Sequence, residues 1–162
     1  MKNHFFVRLL VTGGLGFIGS NFILKSLNKY PEHHITNIDA CLDGSNIQSL
    51  NISNNSNYEF VKGNITDFNL MKKLIDKSDT IINFAAESHV DRSIYDAKPF
   101  FDSNILGVFT ILEILKKQKK KLIQISTDEV FGNLPDGSAT EISRFNPSSP
   151  YSSSKASAEL LV

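Results

Sequence analysis

Runs of apolar residues of strand length alternate along this chain with stretches whose apolar positions recur every three or four residues. The first kind reads as strand and the second as amphipathic helix. Residues 6–12 form a nearly continuous apolar run, as expected of a strand covered on both faces. A helix is predicted over 16–28, with Phe17, Ile18, Phe22, Ile23 and Leu27 at helical spacing and Pro31 as its stop. A short second strand is predicted at 35–39. Residues 45–57 are crowded with Asn and Ser and read mostly as loop, with room for a short helical piece at 47–50. A third strand at 58–62 then precedes a helix at 69–77, with Leu70, Leu74 and Ile75 inward, and a fourth strand at 80–85. Pro99 opens a long helix through about Lys119, whose inward positions are Ile105, Val108, Phe109, Leu112 and Leu115. Lys116, Lys117, Lys119 and Lys120 suit the negative end of its dipole. A fifth strand at 122–126 leads to a last amphipathic helix over 151–162. The chain stops inside that helix with no cap and no polar tail, which reads as a sequence cut short, and its apolar face is expected to promote aggregation.

Strands alternating with helices predict an α/β fold built on a parallel sheet, a Rossmann-type doubly wound arrangement. Its 162 residues are one domain's worth of chain. The 17 basic and 17 acidic residues balance, which argues against a nucleic-acid or anionic-membrane partner. Lys2 and the apolar run after it imitate a secretory leader, but Arg8 interrupts the run, and Thr12, Gly13 and Gly14 fit strand and turn better. No apolar stretch approaches the ~18 residues of a membrane span. Cys41 is the only cysteine, so the chain can form no internal disulfide, and a reducing, cytoplasmic setting is expected. His33 and His34 lie in a turn and His89 has no ligand partner at metal spacing, so no metal site is expected.

Gly13, Gly16 and Gly19 fall between the first predicted strand and the first predicted helix. There they permit a tight turn and let the backbone approach a pyrophosphate held on the free N–H groups of the helix start. A purely structural glycine turn is the alternative. A P-loop is excluded, because Gly19 is followed by Ser20 and Asn21 rather than lysine. Asp39 ends the second strand at the place where a carboxylate accepts from an adenosine ribose diol, which favours NAD over NADP. Alone, such an Asp would equally open a turn. Tyr151 and Lys155 are four apart on a predicted helix and share a face; an ammonium beside a phenol lowers the phenol pKa and makes it a usable base. Thr127, Asp128 and Glu129 follow the fifth strand at the carboxyl edge of the sheet, where two carboxylates can act as acid and base if their surroundings separate them. A solvated acidic turn is the plainer reading of those residues taken alone.

Together these motifs resemble the extended short-chain dehydrogenase/reductase family and, within it, the nucleoside-diphosphoglucose 4,6-dehydratases, of which the dTDP-glucose enzymes are best known. VTGGLGFIGSN at 11–21, FAAESHVDRSI at 84–94, ISTDEVFG at 125–132 and SSPYSSSKASAE at 148–159 read like that subfamily and in its order. The Thr127-Asp128-Glu129 triplet is the most diagnostic, since related epimerases and decarboxylases do not usually carry adjacent Asp and Glu there. The resemblance covers nearly the whole chain but only about half of a family protein, so an N-terminal NAD-binding part is expected, without its substrate domain and with little or no turnover alone. It implies that Tyr151 takes the glucose O4 proton while hydride leaves C4 for NAD, with Thr127 bonded to O4. Glu129 then removes the C5 proton, Asp128 protonates the departing C6 hydroxyl, and hydride returns to C6 to give a 4-keto-6-deoxy sugar. Lys155 is implied to hold the nicotinamide ribose as well as to tune Tyr151. By the same match Gly13, Gly16, Phe17, Ile18, Gly19, Asp39, Asn64, Ile65, Ala85, Ala86, Ser88, Ser103, Tyr151 and Lys155 line the cofactor, and Ser88, Thr127 and Asp128 touch substrate. Family members pair as homodimers through two long helices, here 99–119 and the helix from Tyr151. The chain departs from the family at Leu42-Asp43-Gly44-Ser45-Asn46, where an aromatic residue is common, at Asn64, where Asp is usual, and at Ser103, where Thr is usual. The Asn64 amide oxygen is expected to accept from adenine N6. A related NAD-dependent UDP-sugar epimerase or decarboxylase, and a non-catalytic NAD-binding fragment, are the alternatives.

Overall fold

The computed structural model describes residues 6–46, 50, 55–134 and 136–162. Five parallel strands, β1 (Arg8–Thr12), β2 (His34–Asp39), β3 (Tyr58–Lys62), β4 (Thr80–Asn83) and β5 (Lys121–Gln124), form one sheet in the order β3-β2-β1-β4-β5. That order reverses beside β1, which creates a crevice at the carboxyl ends of β1 and β4, the usual ligand position in doubly wound sheets. Helices α1 (Phe17–Lys29), α2 (Phe68–Asp76), α3 (Val90–Tyr95), α4 (Lys98–Phe100), α5 (Gly107–Leu115) and α6 (Pro150–Leu161) complete the layers. The expected α/β class and all five strands are present.

Alternation along the strands explains the two cores, because successive side chains point to opposite faces of a sheet. Leu10, Ile38 and Ile81 pack with Met71, Leu74 and Ile75 of α2 and Ile111 and Ile114 of α5 on one face. Val11 and Ile35 pack with Ile23 and Leu27 of α1 and with Leu15 and Leu50 on the other.

The differences from the sequence reading are local. Strand β1 begins at Arg8 rather than at residue 6, and Phe6 is exposed. Strands β4 and β5 end at Asn83 and Gln124, earlier than expected, because the chain leaves the sheet to line the crevice. Phe17 and Ile18 start α1 but are 85% and 62% exposed; they face the crevice mouth, and Gly19, Ser20, Ile23 and Leu27 are the buried positions. Helix α3 was not foreseen. The helix expected over 99–119 is shorter and not uniform: α4 runs into a π-helical turn, Phe101–Leu106, and then into α5, which ends at Leu115. The wide turn shifts the apolar register, so Asn104, Gly107, Val108, Ile111 and Ile114 are buried while Phe109 faces outward. Lys116 pairs with Glu113, and the Lys120 ammonium bonds the Ile75 and Asp76 carbonyls, capping α2 rather than its own helix. Of the helical piece expected at 47–50, residues 47–49 lie outside the described residues, as do Lys2 and Phe5.

Candidate active site

The glycine turn joins β1 to α1. Gly13 has φ +68°, and a Cβ there would stand 2.5 Å from the Ala85 nitrogen, so only glycine lets this turn lie against the chain leaving β4. At Gly19 a Cβ would fall 2.4 Å from the Gly13 carbonyl oxygen; its absence brings α1 close to β1. Gly16 is different: a Cβ would meet only the Gly13 oxygen, at 3.3 Å, and would otherwise project into open space at the helix start. The Gly14 N–H donates to Asn37 Oδ1 and the Leu15 N–H to Asp39 Oδ2, at 3.1 and 2.9 Å. Ser20 N–H donates to Gly16 O, the first bond of the helix, and Gly16 supplies no side-chain cap. The amides of Phe17, Ile18 and Gly19 are therefore the ones at the positive end of the helix dipole that an anion can use.

A cleft of about 650 Å³ opens over this turn and runs along the carboxyl edge of the sheet. Gly13, Gly16, Phe17, Ile18, Gly19, Asp39, Asn64, Ile65, Ala85, Ala86, Ser88, Ser103, Tyr151 and Lys155, all expected as cofactor contacts, line it. Asp39 is buried and does more than wait for a ribose. Its Oδ1 accepts from the Cys41 N–H and the Ser45 hydroxyl, each at 2.8 Å, while its Oδ2 holds the glycine turn through Leu15. One carboxylate thus fixes both loops that frame this end of the cleft.

At the opposite end stand Tyr151 and Lys155 on α6, both buried. The Lys155 ammonium donates to the Ile125 carbonyl at 2.6 Å, and burial lowers its pKa against the opposing charge of Glu159. Tyr151 is pushed up instead of down: burial dominates, the Thr127 hydrogen bond lowers it, and the Glu129 and Asp128 charges raise it further. The expectation that Lys155 lowers the Tyr151 pKa is corrected here. The ammonium is turned to a backbone carbonyl, and the charges that reach the phenol are negative. Thr127 caps a 3₁₀ turn, Asp128–Phe131, its hydroxyl oxygen accepting from the Glu129 N–H at 3.4 Å and its hydroxyl donating to Asp128 Oδ1 at 3.3 Å. Thr127, Asp128 and Glu129 lie beyond the cleft lining, next to Tyr151, with Asp128 exposed and Glu129 half-buried.

Several polar residues that position the site were not singled out from sequence. Asn104, in the π-helical turn, is buried; its Oδ1 accepts from the Glu87 N–H, and its Nδ2 donates to Glu87 O and to Ser154 Oγ, all at 2.9–3.0 Å. Ser154 Oγ in turn donates to Tyr151 O, and the Tyr151 N–H donates to Ser93 Oγ on α3. The loop after β4, the π turn and the first turn of α6 are thereby joined around Tyr151. A polar residue within an otherwise apolar helix stripe was the available signal at Asn104. Ser126, next in sequence to the Ile125 whose carbonyl holds Lys155, has its Oγ buried without a hydrogen-bond partner. Among the described residues no three His, Cys, Asp or Glu gather at metal-binding distance, and no helix is long and apolar enough to cross a membrane.

A family profile described as GDP-mannose 4,6 dehydratase matches residues 10–162. The chain belongs to this family. A dTDP-glucose 4,6-dehydratase of Mycobacterium tuberculosis is 44% identical over 159 residues, which cover 96% of this chain and 48% of that protein. The structure of the Streptomyces venezuelae dTDP-glucose 4,6-dehydratase with NAD and TYD bound superposes with a TM-score of 0.91 at 39% identity, covering 95% of this chain and 50% of that one. A UDP-N-acetylglucosamine 4-epimerase from Methanobrevibacter ruminantium superposes with a TM-score of 0.87 at 29% identity, over 96% and 49% of the two chains. The same fold therefore extends to an epimerase, at lower sequence identity. The chain spans about half the length of the curated relatives it matches.

Proposed function

We propose that residues 1–162 form the NAD-binding part of a nucleoside-diphosphoglucose 4,6-dehydratase, a hydro-lyase that yields a 4-keto-6-deoxyglucose nucleotide. One observation carries the reading: a single cleft runs from the open amides of α1 and from Asp39 to Tyr151 and Lys155, and the Thr127-Asp128-Glu129 turn adjoins its far end. The cradle left by Gly16 and the anion-ready amides fit a pyrophosphate, and Asp39, whose Oδ2 keeps one lone pair, fits a ribose hydroxyl and repels a 2′-phosphate. Bound NAD⁺ supplies the reversible hydride store this chemistry needs.

The chain's own groups handle the protons. Tyr151 is the base for the sugar O4 proton, its raised pKa to be offset by the positive charge that bound NAD⁺ would bring beside it, and Thr127, which bonds the phenol, bonds the same oxygen. Lys155 holds the nicotinamide ribose. Glu129, half-buried, is the base at C5, and exposed Asp128 is the acid at the departing C6 hydroxyl. Epimerisation at C4 needs only oxidation and reduction and gives two adjacent carboxylates no task, which is why the dehydratase reading is preferred. The substrate proposed is dTDP-glucose or UDP-glucose, the assembly a homodimer and the setting cytoplasmic.

Isothermal titration of the chain with NAD⁺, followed by incubation with each nucleotide sugar and detection of a 4-keto product, tests this. NAD⁺ binding without product is expected of a cofactor half. Product formation would show that the chain is catalytically complete. Failure to bind NAD⁺ would overturn the reading.

A further inference from the structure

Asn64 lies two residues beyond the end of β3, after Gly63, and lines the cleft. The sheet order places the open amides of α1 after β1, Asp39 at the end of β2 and residues 63–65 at the end of β3. A dinucleotide with its pyrophosphate on those amides and its ribose at Asp39 therefore carries its base toward Asn64. The argument rests on the dinucleotide reading above.

The orientation of the Asn64 carboxamide is set by a group that can only donate. The Thr66 backbone N–H lies 3.0 Å from Asn64 Oδ1, and the Thr66 hydroxyl donates to the same oxygen, also at 3.0 Å. A backbone N–H demands an acceptor, so the atom facing Thr66 is the oxygen. A carboxamide oxygen has two lone pairs, and the turn uses both. Only Nδ2, with its two N–H bonds, is left for the base. Both lone pairs of the Asn64 oxygen, expected to accept from adenine N6, are engaged by Thr66.

We propose that Asn64 makes this side of the base subsite donor-only, so that it fails to read the exocyclic amine of a 6-aminopurine and admits dinucleotides carrying a 6-oxopurine at least as well. A 6-oxo group accepts from Nδ2, whereas a 6-amino group meets it donor to donor. A carboxylate at this position keeps one oxygen in the turn and offers the other to the amine as a charge-assisted acceptor.

The test is calorimetric titration of the 162-residue chain and of its N64D variant with NAD⁺ and with nicotinamide hypoxanthine dinucleotide. The wild-type chain is expected to bind the hypoxanthine dinucleotide at least as tightly as NAD⁺, and N64D to favour NAD⁺ by about tenfold, the worth of one hydrogen bond to a charged group. A wild-type preference for NAD⁺, or the same ratio in both proteins, overturns the proposal. Should N64D not fold, the wild-type ratio decides alone. Failure of the folded wild-type chain to bind either dinucleotide overturns the dinucleotide reading itself, and the proposal with it.

Discussion

Tyr151 shows how far a residue's chemistry depends on its surroundings. Its spacing from Lys155 was visible in the sequence, but the direction of its pKa was not, because burial and the charges of Asp128 and Glu129 come from packing. In the chain alone its phenol should ionise above the ordinary value of 10.0. The difference in phenolate absorbance between wild type and Tyr151→Phe across an alkaline titration isolates that group; ionisation at or below the ordinary value would contradict the environment described. The sign for stability follows. An unfolded tyrosine ionises before the folded one, so Tyr151's contribution is full below 10.0 and is lost as pH rises through the folded value. The three glycines were legible for the opposite reason: the positive φ of Gly13, the clash of a Gly19 Cβ with Gly13 and the opening at Gly16 are local demands written in the residue type, although the contact of Gly13 with Ala85 is not. Asn104 was not, since its partners Glu87 and Ser154 lie 17 and 50 residues away.

The elements supply the precision that single residues lack. Helix α6 begins at a capping box: the Ser152 N–H donates to Ser149 Oγ at 3.0 Å, the Ser149 N–H donates to Ser152 Oγ at 2.9 Å, and Pro150 occupies the first turn. Tyr151 sits inside that first turn, so the cap fixes the phenol as well as the helix. Ser149→Ala should destabilise the chain by about 1 kcal/mol. Urea denaturation measures this, and weaker NAD⁺ binding should accompany it; unchanged binding would show that the cap does not position Tyr151. The π-helical turn is the element that periodicity misread. Spacing placed Phe109 inward, but the wide turn puts Asn104 on the buried face and leaves Phe109 46% exposed.

At the scale of the whole molecule, the sheet is tied at its amino edge by Arg8 of β1 and Asp79, which precedes β4. The guanidinium grips the carboxylate with both ends, Nε to Oδ2 at 3.1 Å and the terminal nitrogen to Oδ1 at 2.6 Å, and the Arg8 backbone N–H adds a third bond. These bonds hold the Asp79 carboxyl at about 2, below 3.8. The stability this adds is present above 3.8 and lost as pH falls through about 2, and solvent screening keeps it small. Denaturation curves of wild type and Asp79→Asn at a series of acidic pH values should therefore converge in that window. Curves that stay parallel would remove the pair from the account of acid stability. Phe101 and Leu106 of the π turn, Phe109 of α5, and Leu160 and Leu161 of α6 form the other large-scale feature, since all are exposed. We expect a second copy of the chain to cover them. Sedimentation equilibrium should show a dimer that Phe109→Glu with Leu160→Glu converts to monomer; a monomeric wild-type chain would refute the pairing.

The sequence by itself determined the strands, the glycine turn, Asp39 and the Tyr151–Lys155 face. Apolar periodicity and special backbone demands are local, and a local pattern survives in the order of residues. Tertiary structure alone decided which way Lys155 points, that Asp39 binds two loops, that Asn104 joins three segments, and that the Asn64 oxygen is already occupied. These depend on groups brought together by the parallel crossovers of the sheet, and spacing along the chain carries no record of such encounters.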